Sequence, residues 1–321
     1  ARTYKKIQKW SSSPLETQNR VFQSLISEAA ATSFGVDHDF ISINSHEDFV
    51  KRVPVRDYEA LKPYVDKVVA GEANVLWKGK PLYFAKTSGT TSGAKYIPIT
   101  KESMPSHVEA AKNAILLYIH QTGNTQIVDR KMIFLQGSPV LEDKNGVQLG
   151  RLSGIVAHYV PKYLQKNRLP SWETNCIEDW ETKVNKIVQE TIHEDMSIIA
   201  GIPSWVQMYF EKLVDQKGQK VGDIFKNLNL FIFGGVNYEP YRSKFETLIG
   251  RKVDSIELYP ASEGFFAFQD LQNETGMLLQ LDSGMFYEFI SADTFFDASH
   301  QRLTLKDVKI GVNYVIIIST T

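Results

Sequence analysis

The sequence contains almost no cysteine. Its single thiol, Cys176, cannot form a disulfide within the chain, which is typical of a protein from a reducing compartment. The first 16 residues have no apolar segment of the kind found in a secretory signal, and apolar runs such as residues 315–318 are far shorter than a membrane span. These absences predict a soluble, cytoplasmic protein with no membrane partner.

Charge of one sign is also lacking, because 36 basic residues balance 37 acidic residues and give a formal net charge of −1. Such a balance offers no broad basic surface, so we expect no nucleic-acid partner. The sequence has no C-x-x-C, H-E-x-x-H or EF-hand pattern either. The common zinc and calcium sites are therefore not predicted, and we expect any metal to arrive together with a nucleotide.

Helix signals recur along the 321 residues. Ser13 opens a capping box, Ser-Pro-Leu-Glu, with proline at the first helical position. Thr100 is predicted to open another helix, and a further helix is predicted to start at Pro240 and to stop at Gly250. Apolar residues at helical spacing over 184–192 predict one more.

Short apolar runs lie between the predicted helices. They are MIFLQG from residue 132, MSIIAG from 196, LNLFIFGG from 228 and VDSIELYP from 253. Their alternation with helices predicts an α/β fold with mainly parallel sheets, over about residues 1–275. From about 276 to 321 the pattern becomes β-rich, which predicts an added sheet or subdomain. Residues 160–180 are predicted to form a long loop or a crossing between lobes.

The stretch TSGTTSG, which begins at Thr87, places seven small residues before Lys95. Glycines allow the backbone to approach a ligand, and successive exposed N–H groups form a concavity that binds anions. A Walker A loop needs G-x-x-x-x-G-K-[ST], whereas Gly89 and Gly93 lie four residues apart and Ala94 precedes the lysine. The stretch predicts a phosphate-binding loop of another kind, and the alternative is a flexible Ser/Gly linker.

A second stretch, Tyr-Pro-Ala-Ser-Glu-Gly, follows the strand predicted over residues 253–258. Ligands of open α/β sheets bind beyond the carboxyl ends of strands. There Tyr259 could stack on a base, Ser262 could donate to a phosphate and Glu263 could hold Mg²⁺. The alternative is a plain turn, with the tyrosine in the core and the glutamate in solvent.

The same stretch also resembles a G-x-S-x-G nucleophile elbow in which Pro260 replaces the first glycine. Proline cannot provide the close approach that this glycine permits. The seven histidines are scattered, and none is marked as a partner of Ser262. A serine hydrolase is therefore the less favoured interpretation.

Two more predicted strands end in glycine. In FGGVNY, Gly234 and Gly235 would let a flat ring lie against the backbone, although a tight strand-to-helix turn also needs glycine. In AGIPSW, Trp205 could line an acyl pocket or belong to the core. Neither stretch is specific when taken alone.

Taken together, these stretches resemble the adenylate-forming superfamily and, within it, the Gretchen Hagen family of auxin-responsive acyl acid amido synthetases and its bacterial relatives. TSGTTSGAKYIPIT is similar to the phosphate-binding motif of that family, and LYPASEG is similar to its Tyr-x-x-Ser-Glu motif. GEANVLWKGKPLYFAKTSG, AGIPSW and FGGVNY stand in supporting positions, and the order matches from about residue 50 onward. The resemblance implies that residues 1–321 form the large N-terminal domain of such an enzyme.

The resemblance also implies a role for each matched position. Those that would wrap the β- and γ-phosphates of ATP are Thr87, Ser88, Gly89, Thr90, Thr91, Ser92 and Gly93, with Lys95 nearby. Those that would bind the adenine are Gly234, Gly235, Val236 and Tyr259. Those that would act in the chemistry are Thr90, Ser262 at the α-phosphate and Glu263 on Mg²⁺. Those that would line the acyl pocket are Ser204 and Trp205.

The activity that the resemblance implies is ATP-dependent activation of a small carboxylic acid as an acyl-adenylate, followed by transfer to an amine, in particular an amino acid. Transfer to a thiol such as coenzyme A, and a nucleotide-binding module without turnover, are the alternatives. The aspartate motif that binds ribose in this family, and its small C-terminal domain, are absent from these residues. We therefore expect the chain to be part of a longer polypeptide.

Overall fold

The computed structural model describes residues 2–88, 94–160, 162–272, 274–297 and 299–321, with the backbone alone for Ser88 and Tyr163. Helices and strands alternate through most of these residues, which confirms the predicted α/β class. No helix in these ranges is both long and apolar enough to cross a membrane.

The helices are α1 (Arg2–Ser11), α2 (Pro14–Ala29), α3 (Ser33–Asp37), α4 (His46–Arg52), α5 (Tyr58–Val69), α6 (Met104–Thr122), α7 (Leu152–Ala157), α8 (Lys162–Gln165), α9 (Trp172–Asn175), α10 (Trp180–Thr191), α11 (Pro203–Lys217), α12 (Val221–Ile224) and α13 (Glu239–Ile249). The strands are β1 (Tyr83–Ser88), β2 (Ala94–Ile99), β3 (Lys131–Leu135), β4 (Glu142–Lys144), β5 (Val147–Gly150), β6 (Arg168–Leu169), β7 (Met196–Gly201), β8 (Leu230–Gly234), β9 (Asp254–Ala261), β10 (Gly264–Phe268), β11 (Leu278–Leu279), β12 (Met285–Ser291) and β13 (Tyr314–Thr320). Short 3₁₀ turns cover Phe40–Ser42, Thr125–Val128 and Ala292–Thr294.

The largest sheet has seven strands in the order β11-β10-β9-β8-β7-β3-β6. Its strands β6, β3, β7, β8 and β9 are parallel, and β10 and β11 add antiparallel partners at one edge. Successive side chains alternate between two cores: Leu230 and Ile232 belong to the core shared with α6, and Phe231 and Phe233 to the core shared with α11 and α13. Burial on both faces explains why these strands are continuous apolar runs in the sequence.

A second sheet has the order β2-β1-β5-β4. β1 and β2 form an antiparallel hairpin around residues 89–93, and Phe84 and Ala85 on β1 are fully buried. β2 lies at the sheet edge with β1 as its strand partner, and α5 packs against it, with the Tyr96 amide of β2 donating to the Tyr58 hydroxyl of α5. This packing fixes the base of the hairpin.

The C-terminal part is β-rich, as predicted, with β12 and β13 paired antiparallel from Met285↔Thr320 to Ser291↔Tyr314. The segment RLTLKDV contributes a single bridge, Phe289↔Leu303, instead of a strand. β11 lies after residue 275 but pairs with β10 in the seven-stranded sheet. The division of the chain near residue 275 stays a prediction.

Three local expectations differ from the structure. The Ser13 hydroxyl does not cap α2, because it donates to the carbonyl of Lys9 in the preceding helix. α6 begins at Met104 and not at Thr100, because Thr100 and Ser103 close a turn through reciprocal hydrogen bonds. The predicted loop over 160–180 contains α8, β6 and α9, which are too short to show a periodic pattern.

Candidate active site

The carboxyl ends of β7, β8 and β9 lie side by side at one edge of the large sheet, because the three strands are parallel neighbours. Ser204 and Trp205 follow β7, Gly235 follows β8, and Ser262 follows β9. Neighbouring strands are about 4.8 Å apart. The fold thus lines up the segments predicted to contact the acid, the adenine and the α-phosphate.

Ser262 and Glu263 form the two-residue turn of a β-hairpin. β9 continues past the predicted end to Ala261, and Gly264 pairs with Ala261 as the first residue of β10. A Cβ at residue 264 would lie 2.2 Å from the Met285 sulfur, so any larger residue there would require the Met285 side chain to move. The hairpin is therefore packed closely against β12.

Both turn side chains are available to a ligand. Glu263 is exposed and Ser262 is half-buried, and neither makes a hydrogen bond or ion pair with another described residue. A nucleophile elbow is a turn from a strand into a helix, whereas this turn joins two strands. The serine hydrolase interpretation therefore loses its structural basis.

The turn lies on the wall of a cavity of about 460 Å³. Ile97 and Pro98 of β2, the strand that follows residues 89–93, line the same cavity as Ser262 and Glu263. Hydroxyl side chains that also line this cavity include Thr100, Ser103, Ser319, Thr320 and Thr321. The Thr100 hydroxyl donates to the Thr321 hydroxyl over 3.4 Å. No histidine is among the described residues of this wall.

The hairpin β1–β2 holds the two ends of the predicted phosphate loop together. Thr87 pairs with Lys95, and Ser88 pairs with Ala94. The residues between them, Gly89, Thr90, Thr91, Ser92 and Gly93, lie outside the described residues, and their roles stay predictions. The ammonium group of Lys95 lies 5.2 Å from the ring centroid of Tyr58.

The two glycines at the end of β8 are required for different structural reasons. A Cβ on Gly234 would lie 2.5 Å from the carbonyl oxygen of Leu258 on β9, so the two strands can approach only with glycine there. Gly235 has φ of +83°, in the left-handed region, and open space around its Cα. Val236, which follows, is 43% exposed. The backbone at 234–236 is therefore accessible to a flat ligand.

Tyr259 does not belong to the core, because it is 45% exposed. Its ring lies 4.9 Å from that of Phe266 at an interplanar angle of 35°, so one side of the ring is supported by packing. An exposed aromatic ring on a supported base is suited to stacking against a nucleobase.

The ring of Trp205 packs against another tryptophan. Its ring stacks on Trp180 of α10, with centroids 4.4 Å apart and an interplanar angle of 27°. Neither Ser204 nor Trp205 is among the described residues that line the cavity at Ser262. Their contact with an acid stays a prediction, based on the position of α11 directly after β7.

The donor set for a metal is small. The described residues include no group of three or more His, Cys, Asp or Glu side chains that could hold a metal ion. Mg²⁺ in nucleotide sites is commonly held by one or two carboxylates together with substrate phosphates. The unengaged carboxylate of Glu263 fits that arrangement, in which the nucleotide supplies the other ligands.

Tyr58 and Thr100 were not predicted as site residues. Tyr58 lines the cavity and accepts a hydrogen bond from the Tyr96 amide over 2.9 Å. Its signal in the sequence is weak, because an aromatic residue at the start of a helix has no fixed role.

Comparison with solved structures identifies the fold. The AtGH3.15 acyl acid amido synthetase in complex with 2,4-DB superposes with a TM-score of 0.80 at 14% identity, over 99% of this chain and 64% of that chain. A 2-hydroxyisobutyryl-CoA ligase in complex with 2-HIB-AMP and CoA, in an open conformation, superposes with a TM-score of 0.55 at 13% identity, over 84% and 59% of the two chains. The architecture is that of the N-terminal domain of adenylate-forming enzymes.

Sequence comparison gives the family. The family model for the GH3 family N-terminal domain matches residues 3–175, which is more than half of the 321 residues. The chain belongs to the GH3 family, and the resemblance to the Gretchen Hagen enzymes is confirmed.

Curated relatives include the indole-3-acetic acid-amido synthetase GH3.15 of Arabidopsis thaliana, which is 28% identical over 138 residues. The jasmonoyl--L-amino acid synthetase JAR4 of Nicotiana attenuata is 24% identical over 136 residues. These alignments cover 42% and 41% of this chain, but 22% and 23% of the relatives. The structural match spans 64% of the AtGH3.15 chain, which is less than two thirds of its length.

Proposed function

We propose that the protein activates a carboxylic acid with ATP and transfers the acyl group to an amine. One observation carries this proposal: the unengaged Ser262–Glu263 turn shares a cavity wall with β2, the strand that leaves the predicted phosphate loop. Family membership and the adenylate-forming fold support it.

In the first half-reaction a carboxylate oxygen of the acid attacks the α-phosphorus of ATP. The bond between that phosphorus and the bridging oxygen breaks, and pyrophosphate leaves. Ser262 would donate a hydrogen bond to the α-phosphate, and backbone N–H groups of the loop would bind the phosphates released. Glu263 would hold Mg²⁺, which neutralises phosphate charge when it is bound.

In the second half-reaction the nitrogen of the amine attacks the acyl carbon. The bond from that carbon to the phosphate oxygen breaks, AMP leaves, and the nitrogen gives up a proton. No covalent bond to the protein is needed, and none of the described residues that line the cavity at Ser262 is a histidine. Positioning and charge stabilisation would supply the acceleration.

The nucleotide and the acid would occupy neighbouring parts of the sheet edge. Tyr259 and the backbone at Gly234 and Gly235 would enclose the adenine. Ser204 and Trp205, at the end of the adjacent strand, would contact the acid. We propose an amino acid as the amine, since the curated relatives are named as amido or amino acid synthetases.

Transfer to a thiol is the second candidate, because the fold is shared with a CoA ligase. A nucleotide-binding module without turnover is the third. We would test all three with the full-length protein, ATP, Mg²⁺ and a panel of carboxylic acids. Acid-dependent exchange of radiolabelled pyrophosphate into ATP is expected for both ligases, whereas tight ATP binding without exchange would favour the module.

The acceptor is identified in a second assay. Mixed amino acids and coenzyme A would be added with each acid that supports exchange, and the products would be read by mass spectrometry. An acyl–amino acid amide is the expected product. A thioester as the main product would contradict amide formation and would identify the protein as an acyl-CoA ligase.

A further inference from the structure

Two consecutive residues of β2, Lys95 and Tyr96, both contact Tyr58 of α5. Tyr58 is the first residue of α5, and its hydroxyl accepts a hydrogen bond from the Tyr96 amide over 2.9 Å. In an antiparallel pair the amides of a strand point alternately toward the partner and away from it. β2 lies at a sheet edge, so this outward amide has no strand beside it, and Tyr58 supplies the acceptor.

The neighbouring residue, Lys95, uses the ring of the same tyrosine. Its ammonium group lies 5.2 Å from the ring centroid, within the range of a cation–π contact. Lys95 and Tyr58 are both half-buried, so the contact is partly shielded from water. The tyrosine thus fixes the direction of the lysine side chain as well as the path of the strand.

The position of Tyr58 is itself set by the start of α5. Asp57 caps the helix, with its carboxylate accepting from the Ala60 amide over 2.9 Å. Asp57 and Tyr58 also line the cavity that contains Glu263. The start of α5 therefore connects the cavity wall to β2, in which Lys95 pairs with Thr87 of β1.

We propose that Tyr58 is a positioning residue for ATP, which holds Lys95 and the base of the phosphate-binding hairpin in the orientation that the phosphates require. This inference rests on the proposed function. Tyr58 need not touch the nucleotide, because it acts through Lys95 and the Tyr96 amide.

Two substitutions separate the two contacts. Tyr58→Phe keeps the ring under Lys95 and removes the acceptor for the Tyr96 amide. Loss of one hydrogen bond corresponds to about a three- to tenfold effect, which we expect as a rise in the KM for ATP with the KM for the acid and kcat unchanged. Tyr58→Leu removes both contacts and should raise the KM for ATP further, by about two- to fivefold.

The same helix offers a matched control. The Tyr64 hydroxyl donates to Asp37 over 2.7 Å, and the Lys67 ammonium lies 5.8 Å from the Tyr64 ring centroid. Tyr64→Phe therefore makes the same chemical change in a similar setting, away from β2. We expect it to leave the KM for ATP unchanged, while both Phe variants have similar melting temperatures.

Each outcome of the kinetic test decides the inference. A selective rise in the KM for ATP in Tyr58→Phe supports it. Equal values of that KM in Tyr58→Phe and Tyr64→Phe would overturn it, and so would a uniform loss of kcat with an unchanged KM, since that pattern indicates general damage.

Failure of the proposed function has a different signature, because the wild-type protein itself would then show no acid-dependent exchange. ATP binding measured by calorimetry decides the inference in that case. Weaker binding by Tyr58→Phe than by Tyr64→Phe supports it, and equal binding overturns it. Absence of ATP binding by the wild-type protein would overturn both the inference and the proposed function.

Discussion

Arg302 donates two hydrogen bonds to Glu288, from Nε to Oε1 over 2.9 Å and from Nη2 to Oε2 over 2.6 Å. The side chains are 6% and 1% exposed, and His46 contacts the same Oε1 from α4 over 2.6 Å. Burial raises the pKa of Glu288, but the hydrogen bonds from His46 and Arg302 outweigh it and hold that pKa below its ordinary value of 4.5. His46 thereby joins α4 to β12 at this buried ion pair.

Glu288→Gln should lower the free energy of unfolding by about 3 kcal/mol at pH 7, because it leaves Arg302 buried without a counter-ion. The folded protein has the lowered pKa, so the contribution of Glu288 is fully present above pH 4.5 and is lost as the pH falls through that lowered value. Urea unfolding at pH 7 and at a series of lower pH values measures the difference. Glu47→Gln on α4, an exposed residue paired with Lys51, is the control, and an equal loss in both variants would contradict the prediction.

His107 should make the protein less stable in mild acid. It is 4% exposed, its Nδ1 has no hydrogen-bond partner among the described residues, and burial lowers its pKa from 6.5 to about 4. The unfolded chain therefore takes up the proton first, and stability falls from pH 6.5 toward pH 4, by about 2 to 3 kcal/mol in the range above pH 4.5.

His107→Leu should remove this part of the pH dependence without loss of stability at pH 7.5, since an apolar group replaces an unpaired polar one. Urea unfolding at pH 7.5, 6 and 5 would be compared with the exposed control His193→Gln, which should keep the wild-type decline. If His107→Leu loses as much stability as the wild type over this range, another group is responsible.

Gly234→Ala should destabilise the protein by about 1 to 3 kcal/mol and weaken ATP binding together, since its Cβ would lie 2.5 Å from the Leu258 carbonyl oxygen and would push β8 from β9. At Gly235 there is room for a Cβ, so Gly235→Ala should lower the free energy of unfolding by about 1 kcal/mol, because of the positive φ alone. Thermal unfolding and calorimetric titration with ATP measure both effects. A fully stable Gly234→Ala protein would contradict the close approach of the strands.

Glu263→Gln should reduce acid-dependent pyrophosphate exchange in the full-length protein by about a hundredfold or more, because the proposed Mg²⁺ ligand loses its charge. Glu142→Gln, an exposed glutamate on the β4–β5 hairpin, tests for a general effect of charge removal. We expect wild-type exchange in that control. Exchange at the wild-type rate in Glu263→Gln would reject the metal role of this residue.

Whereas β6, β10 and β11 were not predicted, the strands β3, β7, β8 and β9 of the large sheet could be predicted because local sequence determines them. Their apolar residues are buried on both faces, so each strand is visible as a continuous run. Gly250, predicted as a helix stop, caps α13 with φ of +82°. This left-handed conformation favours glycine, so the residue type alone indicates where the helix ends. The two motifs, TSGTTSGAKYIPIT and LYPASEG, could likewise be recognised in the sequence, because each is a short contiguous segment.

Contacts between distant segments could not be predicted. The hydrogen bond from Tyr96 to Tyr58 joins residues 38 positions apart, and that between His46 and Glu288 joins residues 242 apart. β9 continues to Ala261 because β10 returns beside it, which the residues of β9 alone do not encode. The packing of Trp205 on Trp180 also depends on how two helices meet.

The arrangement of β7, β8 and β9 has an evolutionary consequence. Each strand presents its own loop at the shared edge of the seven-stranded sheet, which has a hydrophobic core on each face. Under the proposed function, mutations after β7 could exchange one acid for another while the nucleotide loops after β8 and β9 are inherited unchanged. New substrate preferences could then arise through single mutations, each of which leaves a protein that still folds and still binds ATP.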